Sequence, residues 1–188
     1  MTDLLLWADL ETEGLYPWNR DHRPFEIGVK VTDLQLNVLH QWSSPILWSG
    51  LRREDLDPFI LDMHTKNGLL DDMEENGLVL DEAEDELIMF LEGWNIPLDR
   101  TTPVCGNSLR LDREFMARWM PTLDSMLSYR IIDVSSFKET CRRFDRALFK
   151  AYTELFPDSK ENTAHRVLDD IDHSIAEYKF YLEGMGWL

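Results

Sequence analysis

Through residue 47 the apolar positions of this chain follow a period of two, and beyond it they follow the helical period. Residues 4–10 (LLLWADL) and 25–32 (FEIGVKVT) predict strands, the second with β-branched alternation. The run between them, GLYPWNRDHRP, is a Gly- and Pro-punctuated loop. Residues 36–47 predict a third strand with Asn37 in the preceding turn, which gives an antiparallel three-stranded meander. Helical spacing then appears at 57–63 and at 81–93, where Leu87, Ile88 and Leu91 face inward. A short buried strand is expected at 102–105, followed by a Gly-Asn-Ser turn and a helix through Met120, with Pro121 closing it or opening the next segment. Another short strand is expected at 129–133. Ser135 reads as the N-cap of a helix over 136–144, and 164–183 is the most strongly patterned helix. Hairpins first and strand–helix alternation later predict an α/β fold, a mixed sheet with helices on its faces.

The first strand raises a chemical question at its end. Side chains two apart share a strand face, so Asp9 and Glu11 project together from a segment that begins apolar. Paired anions repel and resist desolvation unless a cation neutralises them. Hard ions such as Mg²⁺ and Mn²⁺ prefer such oxygen ligands. A solvated strand end explains the pair equally well, so a second source of carboxylate is needed. Two segments offer one. In CGNSLRLD a buried strand feeds a helix whose first turns hold Asp112, although Asn107 or Ser108 capping and a favourable dipole for Asp112 account for that run too. In HRVLDDIDHSI, Leu168, Ile171, Ile175, Tyr178 and Leu182 form one helical stripe. At about 100° per residue, Asp169 points away from that stripe, whereas Asp170 and Asp172 lie on its two borders. His165 falls near the helix start.

Composition narrows the possibilities. The chain has 188 residues, 44% hydrophobic and 29% charged, without repeats, low-complexity tracts or Ser/Gly linkers, and is expected to form a single domain over 1–188. Its 36 acidic against 19 basic residues leave a formal charge of −17, which argues against gripping long nucleic acid or an anionic membrane. No apolar run approaches the ~20 residues of a bilayer span. The start lacks the basic and small-residue signature of a secretory signal, and Cys105 and Cys141 read as free thiols of a cytoplasmic protein.

Taken together, WADLETEGL, HTKNGLL, CGNSLRLDREFMARWMPTLDSMLSYRIIDVSSFKE and HRVLDDI resemble, in order and interval, the motifs of the DEDDh 3′–5′ exonucleases, and within them the oligoribonucleases. The resemblance spans nearly the whole chain. It implies a ribonuclease-H-like sheet with the first three strands antiparallel, and a 3′-to-5′ exoribonuclease that reduces very short RNA, dinucleotides especially, to nucleoside 5′-monophosphates. It implies Asp9, Glu11, Asp112 and Asp170 as ligands of two divalent ions, Mg²⁺ or Mn²⁺, and His165 as general base. An imidazole pKa of ~6.5 suits that role near neutrality.

The same resemblance implies Leu15 as a wedge beside the bases and Phe59 as an aromatic platform, which core packing would explain equally well. It implies Ser108, Arg130 and Ser135 as a cap on the 5′ phosphate, and His64 as either a substrate contact or a hydrogen-bonded structural residue. Tyr129 would approach the site of a partner subunit in a homodimer. The chain departs from the pattern in a bulky loop after Leu15, in Phe59 where Trp is common, and in its high acidity. A DEDDh enzyme acting on single-stranded DNA is the alternative, and it would need a basic track that the scattered Arg110, Arg113, Arg118, Arg142, Arg143 and Arg146 do not form.

Overall fold

The computed structural model describes residues 4–157 and 165–188. Three long strands come first: β1 (Leu4–Thr12), β2 (Pro24–Asp33) and β3 (Val38–Pro45). They pair antiparallel, as the alternation predicts. Leu36, expected to open the third strand, instead sits in the turn at φ 65°. Two short strands, β4 (Val104–Gly106) and β5 (Ile131–Asp133), add parallel to the other side of β1, giving the order β3-β2-β1-β4-β5. This is the mixed sheet that the ribonuclease-H-like expectation calls for.

The helices are α1 (Pro58–Lys66), α2 (Leu69–Asn76), α3 (Leu80–Gly93), α4 (Arg110–Trp119), α5 (Pro121–Met126), α6 (Val134–Phe144), α7 (Arg146–Leu155) and α8 (Val167–Gly184). Pro121 opens α5, where a missing N–H costs nothing. The cap of α6 is Asp133, whose carboxylate accepts from the Ser135 N–H, so Ser135 is inside the helix and not its N-cap. Three helices, α2, α5 and α7, were not expected as helices from the sequence. The start expected at Ala164 lies outside the described residues, and among these α8 begins at Val167. No helix among the described residues is long and apolar enough to cross a membrane.

Strand β1 is buried on both faces, and its two faces serve different cores. Leu6, Ala8 and Leu10 pack with Leu87 and Leu91 of α3 and with Phe115 and Met116 of α4. Trp7 faces the other way, into a core with Cys105, Val134, Ile171, Ile175 and Tyr181. Asp9 and Glu11 continue the Trp7 face, so the α8 side of the strand turns from apolar to acidic along its length. Each fully buried large side chain here contributes roughly 1.5–3 kcal/mol, which fixes the strand firmly enough to hold the acidic end in place.

Two glycines allow the close approaches this needs. Gly28 is the cross-strand neighbour of Asp9, and a Cβ on it would stand 2.5 Å from a methyl of Val167. The first turn of α8 therefore reaches the sheet only because residue 28 has no side chain. At the end of β4 a Cβ on Gly106 would lie 2.8 Å from the Ala8 carbonyl oxygen. That approach brings the turn leading to α4 against β1.

Candidate active site

The acidic end of β1, the first turn of α4 and the first turn of α8 converge. Asp112 closes one side: its Oδ1 accepts the N–H of Leu10 at 3.2 Å, which anchors α4 to the strand between Asp9 and Glu11. Asp170 closes another and shares a side-chain hydrogen bond with Glu11. Glu11, Asp170 and His165 each offer a ligand atom within 4.8 Å of the other two. Asp169 is exposed, in keeping with the helical periodicity. Asp172, on the opposite border of the stripe, pairs instead with the buried ammonium of Lys30.

Electrostatics separates these acids from ordinary surface carboxylates. Burial, reinforced by Asp112, Glu11, Asp170 and Glu26, raises the Asp9 carboxyl well above its usual range. Burial and the adjacent Asp170 push Glu11 up to about 9. Burial likewise lifts Asp112 to about 7, despite the opposing hydrogen bond from Leu10, and it raises Asp170. Negative charge is crowded here, and the opposing charges come from the edges: His165 and His173 beside Asp170, and Arg166 on Glu26.

A divalent cation fits this donor set. The oxygens are hard ligands, they come from rigid strand and helix positions, and burial together with their mutual field raises their proton affinity. Glu11, Asp170 and His165 are the three whose ligand atoms lie together, and Asp9 and Asp112 add to the same electrostatic cluster.

His64 on α1 is fully buried, packs edge-on against Phe25 and places Nε2 3.9 Å from Glu11 Oε2. Burial lowers its pKa to about 4, so it stands beside the acids as a neutral ring. Phe59, at the start of α1, is 70% exposed and Leu15 is 61% exposed. The core-packing explanation of Phe59 therefore fails.

Two of the three expected cap residues, Ser108 and Ser135, meet at an acid that the sequence did not single out. Asp133 Oδ1 accepts from the Ser108 N–H at 3.0 Å and from the Ser135 hydroxyl at 2.6 Å, drawing the β4–α4 and β5–α6 turns together. Ser108 sits at φ 58°. Asn107, a capping candidate by sequence, caps nothing; its Nδ2 donates to Glu177 Oε2 at 3.0 Å. Arg130 is exposed and lies over the ring of Tyr129, which is 77% exposed. Five of the six scattered arginines are paired with acids, Arg110 with Glu114 among them. Arg113 pairs with Asp124, Arg118 with Asp21, and Arg142 and Arg143 with Glu139, so no cationic track forms among them.

Sequence reasoning also passed over the residues that brace His165: Asn67, Arg166, Glu26 and Asp72. Asn67 and Arg166 stand inside HTKNGLL and HRVLDDI, yet their partners are remote in sequence and leave no local pattern.

The profile of the exonuclease (RNase T) family matches residues 6–178. An oligoribonuclease of Vibrio vulnificus is 40% identical over 180 residues, covering 94% of this chain and 92% of that protein. An oligoribonuclease of a Mycobacterium species is 37% identical over 182 residues, covering 96% and 80%. Among solved structures, the zinc-bound E. coli exonuclease I–ssDNA complex superposes with a TM-score of 0.71 at 17% identity, covering 99% of this chain. Exonuclease I of Methylocaldum szegediense gives 0.64 at 21% identity over 97% of the chain. The chain spans 42% and 41% of those two proteins, so the likeness is one of fold.

Proposed function

This chain belongs to the exonuclease family whose profile it matches, and from that premise we propose that it is an oligoribonuclease: a 3′-to-5′ exoribonuclease of very short RNA, dinucleotides above all. The observation that carries the reading is the convergence of Asp9, Glu11, Asp112 and Asp170 with His165 beside them. The four carboxylates would hold two divalent ions, Mg²⁺ or Mn²⁺. When bound, the ions polarise the scissile phosphate and stabilise the departing 3′ oxygen.

The side chains do the rest. His165 takes the proton from the attacking water as it approaches in line with the leaving oxygen. The buried, neutral His64 keeps Glu11 facing the ions. Leu15 and Phe59 offer apolar surface to the bases; stacking on an aromatic ring is worth ~1–3 kcal/mol and tolerates any base. Ser108, Arg130 and Ser135 receive the 5′ phosphate, with Asp133 holding the two serine turns in register. A substrate whose 5′ end stops at that cap gains contacts that a longer one loses, which is the basis of the length preference.

The site draws on residues from 9 to 170, so the chain acts as a single domain. The exposed Tyr129 reaches toward a second copy in a homodimer, and the two free cysteines suit the cytoplasm.

The test is direct. Purified protein is incubated with Mn²⁺ or Mg²⁺ and 5′-phosphorylated RNA from the dinucleotide upward, beside single-stranded DNA. The dinucleotide disappears fastest, nucleoside monophosphate accumulates, and EDTA stops the reaction. Faster loss of long DNA, or cleavage indifferent to chelation, contradicts the assignment.

A further inference from the structure

His165 stands just before α8 at φ 44°, a left-handed conformation that a residue with a side chain keeps only when its surroundings impose it. The surroundings here are specific. Asn67 Nδ2 donates to the His165 carbonyl oxygen at 2.5 Å. The next residue, Arg166, forks onto Glu26 with Nε–Oε2 and Nη2–Oε1 distances of 2.9 and 2.8 Å, and its Nη2 also reaches Asp72 of α2 at 2.6 Å. Glu26 Oε2 further accepts the N–H of Val167 at 3.3 Å. The backbone that follows the His165 side chain is thus tied down at three successive residues.

Glu26 gives these ties their direction. It is 2% exposed and is the cross-strand partner of Glu11 in the β1–β2 register. Paired positions of this kind share a sheet face at ~5 Å. One buried carboxylate therefore connects the strand position of a cation ligand to the residue adjoining the base. Arg166 also neutralises an acid that otherwise adds to the field on Asp9 and Glu11. A lysine has no fork with which to satisfy Glu26 twice while touching Asp72.

We propose that the Arg166–Glu26 pair, with Asp72 and Asn67, is a positioning device that sets the His165 imidazole against the Glu11–Asp170 pocket and so governs the rate of proton removal, leaving substrate affinity alone. The proposal rests on the reading of His165 as general base.

Arg166→Ala, Arg166→Lys, Asp72→Asn and His165→Ala are compared with the parent on a dinucleotide, with unfolding midpoint and Mn²⁺ affinity measured for each. Arg166→Ala loses about tenfold or more in kcat, as expected when a catalytic group is misplaced by an ångström or less, while KM stays within about twofold. Millimolar guanidinium restores part of that loss by occupying the vacated fork, and it does nothing for His165→Ala. Arg166→Lys recovers less than guanidinium does. If Arg166→Ala fails to fold, Asp72→Asn carries the test, with a smaller fall in kcat and an unchanged KM. Unchanged kcat, a loss confined to KM, or no guanidinium rescue in folded Arg166→Ala overturns the device. An inactive parent, or a His165→Ala protein as fast as the parent, overturns the reading beneath it instead.

Discussion

Helix α8 carries two acids about two turns apart, one buried and one half-buried, and their surroundings differ. Glu177, 2% exposed, accepts from the Tyr152 hydroxyl and from Asn107, with His173 Nε2 at 3.1 Å, while Lys138 Nζ donates to the Tyr152 oxygen at 2.7 Å. Every lone pair it presents inward has a partner. Asp170, half-buried in the first turn, hydrogen-bonds Glu11 and feels Asp169, with the charges of His165 and His173 opposing. Donors surround Glu177, whereas Asp170 faces another acid. A satisfied acid stabilises the packing of α6, α7 and α8, whereas the unsatisfied set keeps a deficit that a divalent cation corrects.

Removing an acid from each region breaks the comparison in opposite directions. Asp112→Asn keeps an oxygen for the Leu10 N–H but removes a charge, and it lowers dinucleotide hydrolysis by about a thousandfold or more. In EDTA the same variant unfolds at a higher temperature than the parent, because one source of repulsion is gone; a lower midpoint contradicts the account. Glu177→Ala strands the Tyr152 and Asn107 donors and destabilises the fold by about 1–3 kcal/mol, read from the urea midpoint. A neutral result there means the network does not bear on packing.

The pH response sharpens the contrast. Asp9, Glu11, Asp112 and Asp170 have raised folded-state pKa values, so the folded chain holds protons that the unfolded chain releases. Their destabilisation is absent below the unfolded carboxylate range and grows as pH rises through about 7 for Asp112 and about 9 for Glu11. Metal-free protein therefore loses stability from pH 5 toward pH 9, and saturating Mn²⁺ flattens that slope. Equal slopes with and without the ion contradict the assignment of these acids as ligands. The smallest effect is expected at the exposed cap. Arg130→Ala costs about tenfold in kcat/KM on the dinucleotide and less on longer RNA, and an equal loss at all lengths removes its role in length preference.

The first strands and α8 were legible because each carries a local signal, whereas the acids gathered as a set only through the four ordered motifs. Alternation marks β1 and β2, and the stripe of α8 separates Asp170 from the exposed Asp169 beside it. Helix α7 carries Leu148, Phe149 and Tyr152 at helical spacing, but they are embedded in charge and acquire meaning only against Tyr181 and Phe180. In α2, Leu69, Leu70 and Met73 are too few to define a period. Asp133 displaced Ser135 as a cap because both are competent and only the turn geometry chooses between them. The bracing of His165 was invisible for a different reason: Asn67 lies 98 positions from it, and Glu26 lies 140 from Arg166. Pairings at that range are products of the fold and have no imprint on nearby sequence.

The spread of the acids along the chain has one more consequence. During synthesis the hairpins of β1, β2 and β3 can form early, with Asp9 and Glu11 already on their shared face. Asp170 and His165 leave the ribosome only after nearly everything else, so a product that stops short of them lacks both. On the proposed assignment such a fragment is inert toward RNA until α8 has been made.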